Sequence, residues 1–109
     1  MMPPAADSAE LRELVRRLVT LYHPQRIYLF GSVARGDADP DSDYDVMVVV
    51  PDDTPREQRQ SRLAYEALWG TSIAADILVW TASQFDSRLH VPSSLPATIS
   101  REGKRLDAE

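Results

Sequence analysis

The 109-residue sequence has no cysteine, a single lysine and no long apolar run. Without cysteine there can be no disulfide, no thiolate zinc site and no cysteine nucleophile. No segment approaches the about 18 apolar residues that a membrane-spanning helix needs, so we expect no membrane association. Residues 1–8 lack the basic start and the apolar stretch of a signal peptide, which predicts a cytoplasmic protein.

Acidic residues outnumber basic ones, and the net charge is −5 at pH 7. Proteins that hold a nucleic-acid backbone do so mainly with lysine and arginine, so we expect no direct nucleic-acid binding. A nucleoside triphosphate complexed with magnesium stays compatible with an acidic protein. The length is close to that of a typical domain, which predicts one domain over residues 1–109.

Apolar residues at helical spacing predict a first helix over residues 8–22, which begins with a capping box at residues 7–10. A second capping box, at residues 54–57, predicts a helix that Gly70 ends. Shorter helical segments are predicted over residues 33–35, 82–87 and 94–101. Gly36 is expected to end the first of these short segments.

Apolar and β-branched residues predict the strands, which lie over residues 26–30, 43–50, 73–80 and 104–106. Asp76 interrupts the third of them, which is otherwise apolar enough for burial on both faces. A buried carboxylate is costly without a partner, so the sequence predicts a partner or a metal for Asp76. Trp69 and Trp80 are predicted to lie in the core or on a partner surface.

A glycine turn and a pair of aspartates form the most informative motif of the sequence. Gly31-Ser32 follows the first predicted strand, and ten residues later Asp43 and Asp45 open the second. Side chains two positions apart in a strand lie on one face, about 6.5 Å apart along the strand, so both carboxylates can bind the same divalent ions. Two carboxylates beside a glycine turn predict metal-assisted phosphate chemistry.

Two other interpretations of the aspartates in residues 37–45 are weaker. A solvated acidic loop fits the first three, but Asp43 and Asp45 lead directly into five apolar residues. An EF-hand calcium loop beginning at residue 37 needs glycine at its sixth position and glutamate at its twelfth, where the sequence has Ser42 and Val48. A phosphate-binding P-loop is excluded because no lysine and hydroxyl residue follow Gly36.

Gly31-Ser32, Asp43-Tyr44-Asp45 and the later strand residue Asp76 together resemble the minimal nucleotidyltransferases of the DNA-polymerase-β superfamily. The resemblance covers nearly the whole chain, and the MNT-type antitoxins of HEPN/MNT toxin–antitoxin pairs match best. It implies an α+β nucleotidyltransferase fold, a single domain in which helices pack against a small mixed β-sheet.

The resemblance also implies roles for individual residues. Asp43, Asp45 and Asp76 would bind two Mg²⁺ ions, and Asp76 could also help to deprotonate the acceptor. Gly31 would let the backbone approach the phosphates of ATP, and Ser32 would donate to a phosphate oxygen.

The role of Arg35 stays open between steadying the triphosphate and pairing with an acidic neighbour. A protein acceptor is expected, because the chain has no room for a domain that holds a primer, a tRNA or an antibiotic. The resembled antitoxins transfer AMP from ATP to a tyrosine of a HEPN ribonuclease toxin, which implies a hetero-oligomer with that toxin. The alternatives are a module that masks the toxin without catalysis, and transfer to a small molecule.

Overall fold

The computed structural model describes residues 9–36 and 43–106. Among these residues, five α-helices, α1 to α5, span Ala9–Tyr22, Gly31–Arg35, Ser61–Ala67, Ala82–Asp86 and Leu95–Glu102. The strands β1 to β4 span Arg26–Phe30, Tyr44–Val50, Ala75–Thr81 and Lys104–Arg105. A 3-10 helix over Arg56–Gln58 precedes α3.

The strands form one sheet in the order β3-β2-β1-β4. β1 pairs antiparallel with β2 and with β4, whereas β2 pairs parallel with β3. The parallel pair requires a crossover connection, which α3 supplies. A mixed sheet with helices packed against it confirms the predicted α+β fold class. β4 lies at one edge of the sheet, as predicted.

The sheet separates two apolar clusters because successive side chains of a strand point to opposite faces. Val46 and Val48 of β2 pack on the face that α1 and α3 cover. Met47 and Val49 pack on the other face, against Phe85 of α4. Each of these β2 side chains is fully buried, which contributes about 1.5–3 kcal/mol per residue. The uninterrupted apolar run of β2 is thus explained by its central position.

Most predicted elements lie within two residues of their observed bounds. Gly36 ends α2 with a φ of 84°, the left-handed conformation that glycine adopts most easily, as predicted. The capping box predicted at residues 7–10 is not fully within the described residues, and the predicted loop at residues 37–42 lies outside them.

The start of α3 differs from the prediction. Residues 54–57 do not cap an α-helix: the 3-10 helix follows Pro55 without a side-chain cap, and α3 begins only at Ser61. The Tyr22 hydroxyl donates to the Gln60 carbonyl oxygen at 2.6 Å and accepts from the Ala64 amide at 3.2 Å. This contact from α1 fixes the first turn of α3, and it is a tertiary contact that local sequence does not encode.

Burial of β3 on both faces was also predicted wrongly. β3 lies at the sheet edge, where Ile77 is buried while Asp76 and Leu78 are exposed. Asp76 therefore occupies the rim of the sheet and not its interior. Trp69 is 89% exposed, so a core position is wrong for this residue, whereas Trp80 packs against the second apolar cluster. Within the described residues, no helix has both the length and the apolar content for crossing a bilayer.

Candidate functional site

Gly31 brings the turn after β1 directly against the side chain of Asp45. The φ of Gly31 is 75°, in the left-handed region that residues with a side chain rarely adopt. A Cβ at this position would overlap Oδ2 of Asp45 and would lie 3.1 Å from its Cγ. Glycine is therefore needed here for two reasons, the backbone conformation and the close approach of a carboxylate.

Asp45 and Asp76 occupy facing positions of the parallel strands β2 and β3. Neighbouring strands lie about 4.8 Å apart, and paired residues project their side chains to the same face. The structure thus brings together two of the three predicted carboxylates, beside the predicted glycine turn.

The pKa of Asp45 is raised above its ordinary value, first by partial burial and then by the negative charges of Asp76 and Asp43. Arg35 acts in the opposite direction, since its positive charge favours the ionised form. A cation bound between these carboxylates would remove the repulsion between them. The electrostatics of this end of the sheet therefore favour a positively charged ligand.

The remaining predicted site residues lie on α2 and just before β2, and they are Ser32, Arg35 and Asp43. Asp43 is exposed and immediately precedes β2, so the predicted strand starts one residue late in the structure. Ser32 is half-buried at the second position of α2. Arg35 is exposed in the last turn of α2, and its Nη1 lies 4.0 Å from Oε1 of Glu102. Arg35 thus forms an ion pair with an acidic neighbour, one of the two roles that the sequence allowed. The other role of Arg35, steadying a triphosphate, stays a prediction.

The carboxylates of the site fit a magnesium ion that is also bound by a phosphate group. Across residues 9–36 and 43–106, no three His, Cys, Asp or Glu side chains converge into a ready-made metal cage. Asp45 and Asp76 instead present an open pair of carboxylates. Mg²⁺ is usually bound in this way, by one or two carboxylates together with substrate phosphates.

Tyr65 of α3 contacts the site, although no sequence pattern indicated this residue. Its hydroxyl donates to Oδ1 of Asp76 at 3.3 Å and accepts from the Ile77 amide at 3.1 Å. An aromatic residue in a short helix gives no sequence signal for such a contact, because the contact depends on how α3 packs against β3.

The chain belongs to the nucleotidyltransferase domain family, whose model matches residues 10–102. The match includes the Gly31 turn and the three aspartates Asp43, Asp45 and Asp76. Proteins of this family generally use a nucleoside triphosphate and a divalent metal ion, in agreement with the carboxylates described above. No curated protein gives a significant sequence match.

Two solved structures have the same fold. A toxin–antitoxin complex with AMP-PNP aligns with a TM-score of 0.62 and 23% identity, over 93% of this chain and 74% of the solved chain. A protein from Sulfolobus solfataricus, described as a candidate nucleotidyltransferase, aligns with a TM-score of 0.54 and 23% identity, over 72% of this chain and 69% of the other. At this level of identity, the similarity establishes the nucleotidyltransferase fold.

Proposed function

We propose that this chain is a magnesium-dependent nucleotidyltransferase that transfers AMP from ATP to a protein acceptor. The acceptor that we propose is a tyrosine of a cognate HEPN ribonuclease toxin, which the chain silences as its antitoxin. The facing carboxylates of Asp45 and Asp76, beside the Gly31 turn, carry the proposal. The toxin–antitoxin complex of similar fold, solved with AMP-PNP, supports this choice of nucleotide and partner.

The proposed reaction is an in-line displacement at the α-phosphorus of ATP. The phenolic oxygen of the acceptor forms a bond to this phosphorus, and the bond from the phosphorus to the α–β bridging oxygen breaks. Pyrophosphate leaves with the bonding electrons, and the phenolic proton passes to a carboxylate. Asp76 is suited to receive it, because its Oδ2 accepts no hydrogen bond within the described part of the chain.

The residues of the turn and of β2 position the nucleotide in this proposal. Asp43, Asp45 and Asp76 would hold two Mg²⁺ ions, which when bound would neutralise the triphosphate and activate the acceptor oxygen. Gly31 leaves the backbone uncovered where the phosphates approach. The amide and hydroxyl of Ser32 would donate to a phosphate oxygen.

A protein acceptor agrees with the exposure of the site. Asp43 and Asp76 are exposed at the rim of the sheet, so a residue on another protein can approach the carboxylates. A macromolecular acceptor also brings its own contact surface, which agrees with a site that is open to solvent on this side.

Intact-mass spectrometry tests the proposal. The protein encoded by the neighbouring gene is incubated with this chain, ATP and Mg²⁺, and its mass is measured with and without the Asp43→Ala substitution. We expect a gain of whole AMP units that the variant does not produce. An unchanged mass, with a stable complex still formed, would refute transfer to this partner.

A second candidate function is neutralisation by masking, without catalysis. A groove of about 430 Å³ lined by Arg62, Tyr65, Glu66 and Trp69 favours it, because the exposed indole of Trp69 offers apolar area to a partner. The double variant Asp43→Ala, Asp45→Ala discriminates the two functions. Loss of toxin neutralisation supports catalysis, whereas retained neutralisation supports masking.

A further inference from the structure

We propose that Tyr65 is a positioning residue that orients the Asp76 carboxylate for metal binding. The inference rests on the proposed function, because it takes Asp76 as a ligand of the catalytic Mg²⁺. It concerns a residue of α3, an element that contributes none of the residues of the glycine–aspartate motif.

The two hydrogen bonds of the Tyr65 hydroxyl fix the direction in which its proton points. A tyrosine hydroxyl has one hydrogen to donate. The Ile77 amide donates to this oxygen at 3.1 Å, so the hydroxyl acts as an acceptor there. Its own hydrogen is left for Oδ1 of Asp76, at 3.3 Å. Tyr65 therefore acts as a donor to the carboxylate, and this bond holds Oδ1 of Asp76 in place.

The backbone of β3 anchors this arrangement. β3 is an edge strand, and those of its amides that point away from β2 need partners from outside the sheet. Tyr65 supplies one of them to Ile77, the residue that follows Asp76 in the chain. One hydroxyl thus ties the strand backbone to the neighbouring carboxylate, so the position of Oδ1 is fixed relative to β3.

Asp76 has little else to orient it. Its side chain is exposed, and within the described residues its carboxylate accepts a hydrogen bond from Tyr65 alone. Asp45, by comparison, is partly buried and lies against Gly31. Without Tyr65 the Asp76 side chain can adopt any of its staggered χ1 rotamers, and its carboxylate can rotate about χ2. Loss of such an outer partner typically lowers metal affinity or activity by about 10- to 100-fold.

The test compares Tyr65→Phe with the matched variant Tyr28→Phe. Tyr65→Phe keeps the ring and removes only the hydroxyl. Tyr28→Phe removes a hydroxyl that accepts from Arg26 at 3.3 Å, while its ring stays stacked on Phe85 at 5.3 Å. Mn²⁺ binding is measured by electron paramagnetic resonance in the presence of α,β-methylene-ATP, and the Mg²⁺ dependence of AMP transfer is measured in parallel.

We expect Tyr65→Phe to weaken Mn²⁺ binding and to raise the half-saturating Mg²⁺ concentration by about 10-fold, with the KM for ATP nearly unchanged at saturating Mg²⁺. Tyr28→Phe should leave both quantities at their wild-type values. Faster amide exchange at Ile77 is expected for Tyr65→Phe whether its role is positioning or merely structural. Wild-type metal dependence in Tyr65→Phe would therefore reduce its role to that of a strand-edge partner and would overturn the proposal.

The double variant Tyr65→Phe, Asp76→Ala separates this inference from the proposed function. If Tyr65 acts through Asp76, its substitution should have no further effect once the carboxylate is absent. An additional full loss in the double variant would contradict the inference alone. If Asp76→Ala by itself binds Mn²⁺ and transfers AMP like the wild type, the assignment of Asp76 as a ligand fails, and the inference fails with it.

Discussion

The two ends of the β2–β3 strand pair place carboxylates in opposite environments. At the end where both strands begin, Asp45 faces Asp76, and the pKa of Asp45 is raised by burial and by neighbouring negative charges. At the end where both strands finish, the Asp52 carboxylate accepts hydrogen bonds from the hydroxyl and the amide of Ser83. These bonds hold the pKa of Asp52 below its ordinary value.

This difference separates a stabilising contact from the proposed functional site. Asp52 gains donors that favour its ionised form, so its charge stabilises the fold. Burial and the neighbouring negative charges make ionisation of Asp45 less favourable than for an aspartate in water. A site that is unfavourable without its ligand and lies beside a glycine turn is expected to gain most when a cation binds.

Substitution of Asp45 should have the largest effect on AMP transfer. It directly tests the end of the strand pair where Asp45 faces Asp76. Asp45→Asn removes a proposed metal ligand, and we expect the rate of AMP transfer to fall by at least about 100-fold. The melting temperature without Mg²⁺ should stay equal or rise slightly, because the crowding of like charges is relieved. Asp53→Asn, a substitution of an exposed carboxylate, is the control for both measurements. Full activity of Asp45→Asn would refute the assignment.

Substitution of Gly31 sharpens the same comparison by disturbing Asp45 indirectly. Gly31→Ala places a Cβ where Oδ2 of Asp45 lies, in addition to the left-handed backbone cost of about 1–2 kcal/mol. We expect it to lower both the free energy of unfolding and the transfer rate. Denaturant unfolding and activity are compared with those of Gly70→Ala, because Gly70 has a φ of 86° and no atom within 4 Å of the position that a Cβ would take.

The two glycine variants should differ in activity more than in stability. Gly70→Ala carries only the backbone cost, so its transfer rate should stay at the wild-type level. Equal losses of activity in the two variants would show that the close approach of Gly31 to Asp45 is irrelevant to the reaction.

Tyr22→Phe should affect stability without affecting the site. The substitution leaves the Gln60 carbonyl and the Ala64 amide without their partner, so the free energy of unfolding should fall by about 1–3 kcal/mol. Transfer activity below the melting temperature should be unchanged. Tyr65→Phe is expected to do the opposite, since it loses metal affinity and little stability.

The pH dependence of unfolding provides a second check on Tyr22. Burial raises the pKa of Tyr22 from 10.0 to about 12, so the folded protein retains a proton that the unfolded chain has lost. The stability that this group contributes is present below its unfolded value of 10.0 and is lost as the pH rises toward 12. The wild type should therefore lose stability more steeply than Tyr22→Phe in this range, and parallel curves would contradict the assignment.

Asp52→Asn should have the smallest effect on stability and activity. It tests the opposite end of the strand pair, where both strands finish. The pKa of Asp52 is lowered in the folded state, so its contribution to stability is present above the ordinary value of 3.8 and is lost as the pH falls below it. The melting temperature of the variant should be slightly lower than that of the wild type at pH 7, and the difference should vanish in acid. Unchanged AMP transfer is expected, and a large loss would mean that the two ends of the strand pair are coupled.

Local sequence patterns predicted most of the fold and the motif of the site. Helical spacing in α1 and the apolar run of β2 gave nearly correct bounds, because in both elements the local pattern matches the final burial. Gly31 and Asp45 were predicted from their order in the chain, and the structure places them in direct contact.

Features that depend on tertiary packing could not be predicted. The start of α3 is fixed by Tyr22, which lies 38 residues before its partner Gln60. The contact of Tyr65 with Asp76 likewise requires α3 to pack against the edge of β3. Asp76 is exposed because β3 lies at the edge of the sheet. An apolar run alone does not reveal the strand order, since central and edge strands of such a sheet can have similar composition.

The most direct test of the proposed metal and nucleotide site is a carbon-detected NMR measurement of the aspartate carboxyl groups. Mg²⁺ and α,β-methylene-ATP are added together to the wild-type protein, and the side-chain carboxyl signals of Asp45, Asp76 and Asp52 are followed. We expect the signals of Asp45 and Asp76 to shift while that of Asp52 does not. Unchanged signals from Asp45 and Asp76 at saturating nucleotide would contradict a metal and nucleotide site at this end of the sheet.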